Sequence, residues 1–311
     1  MELVLHIGTE KTGTTAIQNT LYQNEAELAR HSIGLMHGID EPNNRKLYAY
    51  ILHLENQIDN YHYEKRLADE SARKQYFSGF EESFSAECKQ LKDAGFKTLV
   101  ISNEHLHSRL QTAASLDRLA NFLNPLFDRV TVVCYFREQS AAIKSYYSTA
   151  MKTGSTETYA EFTERCFRDE HYFNYANFIT KWHMAFPYAE FKLRIFDRKK
   201  LYEGDVAKDF LHTINSDLDL SRIDCNIEET NESLGVVGLK LARLVNGIFP
   251  RFTRKKRRNI LSTIALKLIE KMPFSKWGAF KPKNKAEVQA FYEQSNIEFA
   301  KRYLGTDGNP F

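Results

Sequence analysis

An α/β protein, with a mainly parallel sheet covered by helices on both faces, is predicted by two features of this sequence. Short apolar runs have the length of buried strands, and long helix-permissive segments separate them. The runs are Leu3–Ile7, Thr98–Ser102, Val130–Phe136 and Phe191–Phe196, each rich in β-branched or aromatic residues and flanked by polar sequence. Thr15–Arg30, Tyr63–Ala94 and Glu138–Lys152 read as helices between them. Asn103–Leu126 also has helical spacing, ending near Asn124-Pro125. From Leu201 onward the chain changes character and reads as helical. No repeat or low-complexity linker divides the 311 residues. The chain therefore reads as one domain, with an α/β core over 1–235 and a helical C-terminal extension over 236–311.

Composition excludes several classes. Apolar residues make up 42% and charged residues 27%, which is ordinary for a folded globular chain and excludes a disordered or collagen-like one. No stretch approaches the ~20 apolar residues of a membrane-spanning helix. The net charge of +3 makes no case for a nucleic-acid partner. The four cysteines, Cys88, Cys134, Cys166 and Cys225, show neither a CxxC pair nor a zinc-ligand spacing, so they read as reduced thiols and no metal site is expected. Met1 leads directly into a strand-like run without a basic segment and apolar leader. A cytoplasmic location is the expectation, with the inner face of a membrane as its variant.

The most informative residues are His6-Ile7-Gly8-Thr9-Glu10-Lys11-Thr12-Gly13-Thr14-Thr15. A strand ends near Ile7, a loop with two glycines and a lysine follows, and a helix starts near Thr14. Unpaired N–H groups and the dipole of a helix N-terminus favour a phosphate there. Gly8 and Gly13 permit tight turns, Lys11 adds a positive charge, and the hydroxyls of Thr12, Thr14 and Thr15 are candidate donors. The pattern is not the G-x-x-x-x-G-K-[ST] of nucleoside triphosphatases, because its lysine precedes the second glycine.

A second constellation follows the Val130–Phe136 strand. Arg137 sits at the strand's end and Ser145 follows eight residues later in a helical segment. An arginine fork and a hydroxyl suit a second phosphate. Both motifs belong at the carboxyl ends of strands, where open α/β sheets bind ligands.

Together these residues resemble the sulfotransferases that use 3′-phosphoadenosine 5′-phosphosulfate (PAPS), the bacterial and carbohydrate members most closely. Lys11-Thr12-Gly13-Thr14-Thr15 is similar to their 5′-phosphosulfate loop, and Arg137 with Ser145 to their 3′-phosphate site. Arg194-Ile195-Phe196-Asp197, Asp209-Phe210-Leu211 and Asn231-Glu232-Ser233-Leu234 also look like that family. The resemblance touches roughly residues 1–235. It implies a P-loop-like three-layer sandwich and sulfuryl transfer from PAPS to a hydroxyl or amine of a carbohydrate or glycoconjugate, releasing adenosine 3′,5′-bisphosphate without a metal. Lys11 would then act on the leaving-group oxygen.

For the general base that the resemblance implies, Asn103-Glu104-His105, directly after the second strand, offers two candidates. Glu104 resembles the glutamate of bacterial relatives and His105 the histidine of the small-molecule type. Glu104 is preferred, and Asp40 and Glu41 compete. Two other classes stay open: an ATP- and Mg²⁺-dependent phosphotransferase, and a nucleotide-binding module without catalysis.

Two segments carry less defined expectations. Gly38–Phe80, rich in tyrosine, histidine and asparagine, is either an acceptor cleft or a polar helical cover. Arg251–Arg258 holds six positive charges and precedes Ile260, Ile264 and Leu268, spaced as on one helical face. It suits a solvated helix end, an acidic glycan, the 3′-phosphate end of the donor, or anionic lipid.

Overall fold

The structure is a computed structural model, and it describes residues 1–225, 234–252 and 258–311. Five parallel strands form one sheet: β1 (Glu2–His6), β2 (Ile33–Leu35), β3 (Thr98–Ser102), β4 (Arg129–Phe136) and β5 (Glu190–Ile195), in the order β2-β3-β1-β4-β5. The central β1 pairs Leu5 with Ile101 on one side and with Val132 on the other. All strands run the same way, so their carboxyl ends share one edge. The chain leaves β1 towards β2 and leaves β4 towards β5. Those opposite exits open a crevice between the ends of β1 and β4, the place where doubly wound sheets bind ligands.

Alternation along β1 builds the three layers. Leu3, Leu5 and Ile7 join one buried cluster with Leu47, Ile51, Leu119, Phe178 and Trp182, from helices on one face. Val4 points the other way, into a cluster with Ile17, Leu21 and Phe210. A third cluster lies beside the sheet, where Ile143, Tyr147, Met151 and Phe162 meet Leu239, Leu266, Ile269 and Tyr292. The C-terminal helices are thus packed on the helix that follows β4.

The four predicted strands are present to within one residue at each end. β2 escaped the sequence reading because it has only three residues, Ile33-Gly34-Leu35. The segment Thr15–Arg30 is two helices, Thr14–Gln23 and Glu25–Arg30. Asn24 breaks them by donating its side-chain amide to the carbonyls of Thr20 (2.8 Å) and Asp224 (2.9 Å). Tyr63–Ala94 is likewise divided, into Asn60–Glu64, Glu70–Phe77 and Phe80–Asp93. Asp69 starts one helix by accepting from the Ala72 N–H, and Gly79, at φ 69°, turns the chain into the next.

Two fully buried histidines make acid stability a test of this core. Burial pushes the pKa values of His6 and His107 down to about 3, from an ordinary 6.5. Below pH 6.5 the unfolded chain binds protons that the folded chain refuses. Stability is therefore lost as the pH falls from 6.5 towards 3, and above 6.5 neither group contributes. Each fully shifted histidine costs about 1.4 kcal/mol per pH unit in that window. Urea titrations between pH 6.5 and about 5, where most carboxylates remain ionised, should show a falling midpoint. A flat profile would contradict the burial of these rings.

Candidate functional site

The loop between β1 and the Thr14–Gln23 helix is braced from several sides. Thr9 donates its N–H to the Tyr135 carbonyl (2.9 Å), and its hydroxyl donates to the same oxygen (3.0 Å), tying the loop to β4. Gly13 precedes the helix at φ 79°, and a Cβ there would lie 2.7 Å from Val206 Cγ1. Both facts require glycine. The N–H groups of Gly13, Thr14 and Thr15 donate to no backbone or side-chain acceptor among the described residues, so a helix N-terminus with free donors lies at the crevice.

The three predicted hydroxyl donors separate here. Thr15 is exposed and lines the cavity described below, and Thr14 is buried in the first helical turn. Thr12 is fully buried and donates to the Thr9 carbonyl (2.7 Å), so its hydroxyl holds the loop's shape instead of facing a ligand.

Lys11 adopts φ 71° and donates Nζ to the Thr149 hydroxyl (2.9 Å). Burial lowers its pKa from the ordinary lysine value. Glu10 opposes that shift, Lys152 and Arg137 add to it, and Glu104 opposes it more weakly. Arg137, at the end of β4, donates from one guanidinium nitrogen to the Lys11 carbonyl (3.1 Å) and lies over the Phe196 ring at 5.5 Å. Its other N–H groups have no acceptor among the described residues.

Ser145 lies on the Gln139–Lys152 helix. With Lys11 and Thr15 it lines a cavity of about 410 Å³, in the size range of a small-molecule site. Ser148, Thr149 and Lys152 line it too, at helical spacing from Ser145. Across from them stand Arg251, Arg258 and Lys267. The structure thus brings Lys11 and Ser145 to one cavity and seats Arg137 against the Lys11 backbone. The sequence reading missed Ser148, Thr149 and Lys152, although their i+3, i+4 and i+7 spacing from Ser145 was available as a signal.

Glu104 and His105 begin a short helix, His105–Arg109, directly after β3. Glu104 accepts from the Gln18 side-chain amide at 2.6 Å. His105 lies between two carboxylates: Nε2 is 3.7 Å from Glu104 and Nδ1 is 3.4 Å from Glu10. The sequence reading did not single out Glu10. It is nearly buried, accepts from the Tyr172 hydroxyl (2.8 Å) and lies 3.9 Å from Arg109. Burial alone would raise its pKa. The close approach of His105, with the Arg109 charge, overcomes this and holds the carboxyl ionised well below the usual range.

Asp40, a competing base, accepts from the Tyr61 hydroxyl (2.6 Å) and pairs with Lys65 (3.0 Å). Glu41 lies 3.9 Å from His37. Part of Gly38–Phe80 does reach the loop's neighbourhood, since the Tyr48 ring is 5.2 Å from that of His105 and Asp59 pairs with Arg109 at 3.2 Å. Arg194, which is partly exposed, pairs with the fully buried Asp209. Asn231, Glu232 and Ser233 lie outside the described residues, as do Thr253 to Arg257 of the basic run.

Fold and site together define an α/β sandwich with an anion-type loop at its topological switch point and a cation-lined cavity beside it. No protein-family model matches the chain, and no solved structure matches it. Over 133 residues it is 32% identical to an uncharacterized protein of Archaeoglobus fulgidus, a match covering 42% of this chain. The matched region spans 35% of that relative's length.

Proposed function

We propose that the protein is a sulfotransferase that moves the sulfuryl group of PAPS to a hydroxyl or amine of a carbohydrate or glycoconjugate. One observation carries the reading: two motifs far apart in sequence, Lys11 with its loop and Ser145 with its helix, line the same cation-rich cavity. A donor with a phosphosulfate at one end and a phosphate at the other needs two such anion sites within one cleft. The free N–H groups of Gly13 to Thr15 and the Lys11 ammonium suit the first. Ser145 and the unpaired part of the Arg137 guanidinium suit the second.

In the reaction the acceptor oxygen or nitrogen forms a bond to sulfur while the bond from sulfur to the phosphate oxygen breaks. The leaving adenosine 3′,5′-bisphosphate gathers negative charge, which Lys11 and the loop N–H groups stabilise. The acceptor's proton passes to Glu104, whose carboxylate the Gln18 amide orients, with His105 beside it.

Calorimetric titration tests the donor class. Adenosine 3′,5′-bisphosphate should bind without metal and more tightly than ATP–Mg²⁺. Preference for ATP–Mg²⁺ would replace the sulfotransferase with a phosphotransferase. Arg137→Ala should weaken the bisphosphate by about 10- to 100-fold, the loss expected for a charged hydrogen-bonding partner, and adenosine 5′-monophosphate far less. Equal losses would remove Arg137 from the 3′-phosphate.

A further inference from the structure

The basic cavity's outer wall is made by the helix Ile260–Lys271, and the opposite side of that helix is covered by none of the described residues. Ser262, Leu266 and Ile269 are buried, and Thr263, Lys267 and Glu270 face the cavity. The remaining arc holds Ile260, Leu261, Ile264 and Leu268. The preceding helix, Val236–Ile248, packs against this one and exposes Leu244 and Ile248 one turn apart. These six aliphatic side chains are 51–72% exposed. Trp277, just beyond them in the chain, is 64% exposed. Large apolar residues concentrated on consecutive elements mark an interaction surface.

Charge identifies the partner. Residues 236–285 hold fourteen lysines and arginines against a single carboxylate, Glu270. The whole chain is only +3, so the rest of it is net negative and the cations are concentrated here. Lys240, Arg243, Arg258 and Lys271 are exposed on or beside the apolar arcs. Cations alone would suit any polyanion. Cations interleaved with exposed Ile, Leu and Trp suit a surface offering both anionic headgroups and hydrocarbon. No helix among the described residues is long and apolar enough to cross a membrane, so these helices would lie on a bilayer instead of spanning it.

We propose that the Val236–Ile248 and Ile260–Lys271 helices dock the protein on an anionic lipid surface. The aliphatic arcs and Trp277 enter the headgroup boundary, and the basic side chains meet the lipid phosphates. The cavity lies on another side of the same helix, so docking holds it within about one helix diameter, ~10 Å, of the lipid. Docking needs no turnover and stands independently of the sulfuryl-transfer reading.

The test is flotation of the full chain with vesicles of phosphatidylcholine alone and of phosphatidylcholine with an equal part of phosphatidylglycerol. The protein should float with the anionic vesicles, much less with the neutral ones, and be released by salt. Ile264→Asp with Leu268→Asp should lower the bound fraction at least about tenfold, with melting and adenosine bisphosphate affinity unchanged because both side chains are exposed and outside the cavity. Lys240→Gln and Lys271→Gln should each cost about fivefold. Three results would overturn the proposal. The first is no binding to anionic vesicles. The second is equal binding by the double aspartate variant, which would leave only a charge-driven polyanion contact. The third is a lipid-free oligomer that the same variant dissociates in sedimentation velocity, which would assign the arcs to a second copy of the chain.

Discussion

On the proposed reaction, Lys11→Ala is expected to lower the rate of sulfuryl transfer by on the order of 10²–10³, the effect of removing one preorganised donor from a developing negative charge. The ammonium is held in place by the fold itself. Thr149 holds it at 2.9 Å, Arg137 grips the Lys11 carbonyl, and Thr9 anchors the loop to β4. Removing the side chain relieves a partly desolvated charge and loses one hydrogen bond, so the melting midpoint should move little. Bisphosphate affinity should fall as well, because that product carries in full the negative charge that Lys11 meets as it develops in the transition state. Unchanged turnover with a good acceptor would take Lys11 out of the chemistry.

A second large effect is expected away from the cavity. Asp209→Ala should destabilise the fold by about 3 kcal/mol, read as a shift in the urea midpoint. Asp209 is fully buried on the helix Val206–Ile214. It accepts from the Tyr135 hydroxyl (2.8 Å), from Arg194 Nε (3.0 Å) and a second Arg194 nitrogen, and from the Tyr202 N–H (2.8 Å). Alanine leaves the Tyr135 hydroxyl and the Arg194 charge without their common partner. The consequence reaches the site, because Val206 on this helix touches Gly13 of the loop. Asp209→Asn should recover part of the loss, keeping an acceptor while dropping the charge. A midpoint unmoved by alanine would show that solvent compensates Arg194 fully.

Some of this architecture is local enough to be read in one dimension. The four longer strands announce themselves by continuous β-branched and aromatic runs. The loop does so because its glycines, lysine and threonines are contiguous between a strand and a helix. Helix continuity was legible only in part. Asn24 and Asp69 look unremarkable among polar neighbours, and each ends or starts a helix through a hydrogen bond that depends on where the surrounding chain lies.

The sequence by itself determined the α/β class, the glycine- and threonine-rich loop between β1 and its helix, and the arginine after β4, since each rests on residues adjacent along the chain. Tertiary structure alone decided which distant groups meet there. Tyr172 reaches Glu10 across 162 residues, and Lys11 meets Thr149 across 138. It also turned the Thr12 hydroxyl inward and set His105 between two carboxylates. On the C-terminal helices it left one arc of aliphatic side chains bare. The physical reason is range. Periodicity and turn chemistry act over a few residues, whereas burial, ion pairing and cavity walls depend on how parallel strands and their crossover helices bring separate segments to one edge.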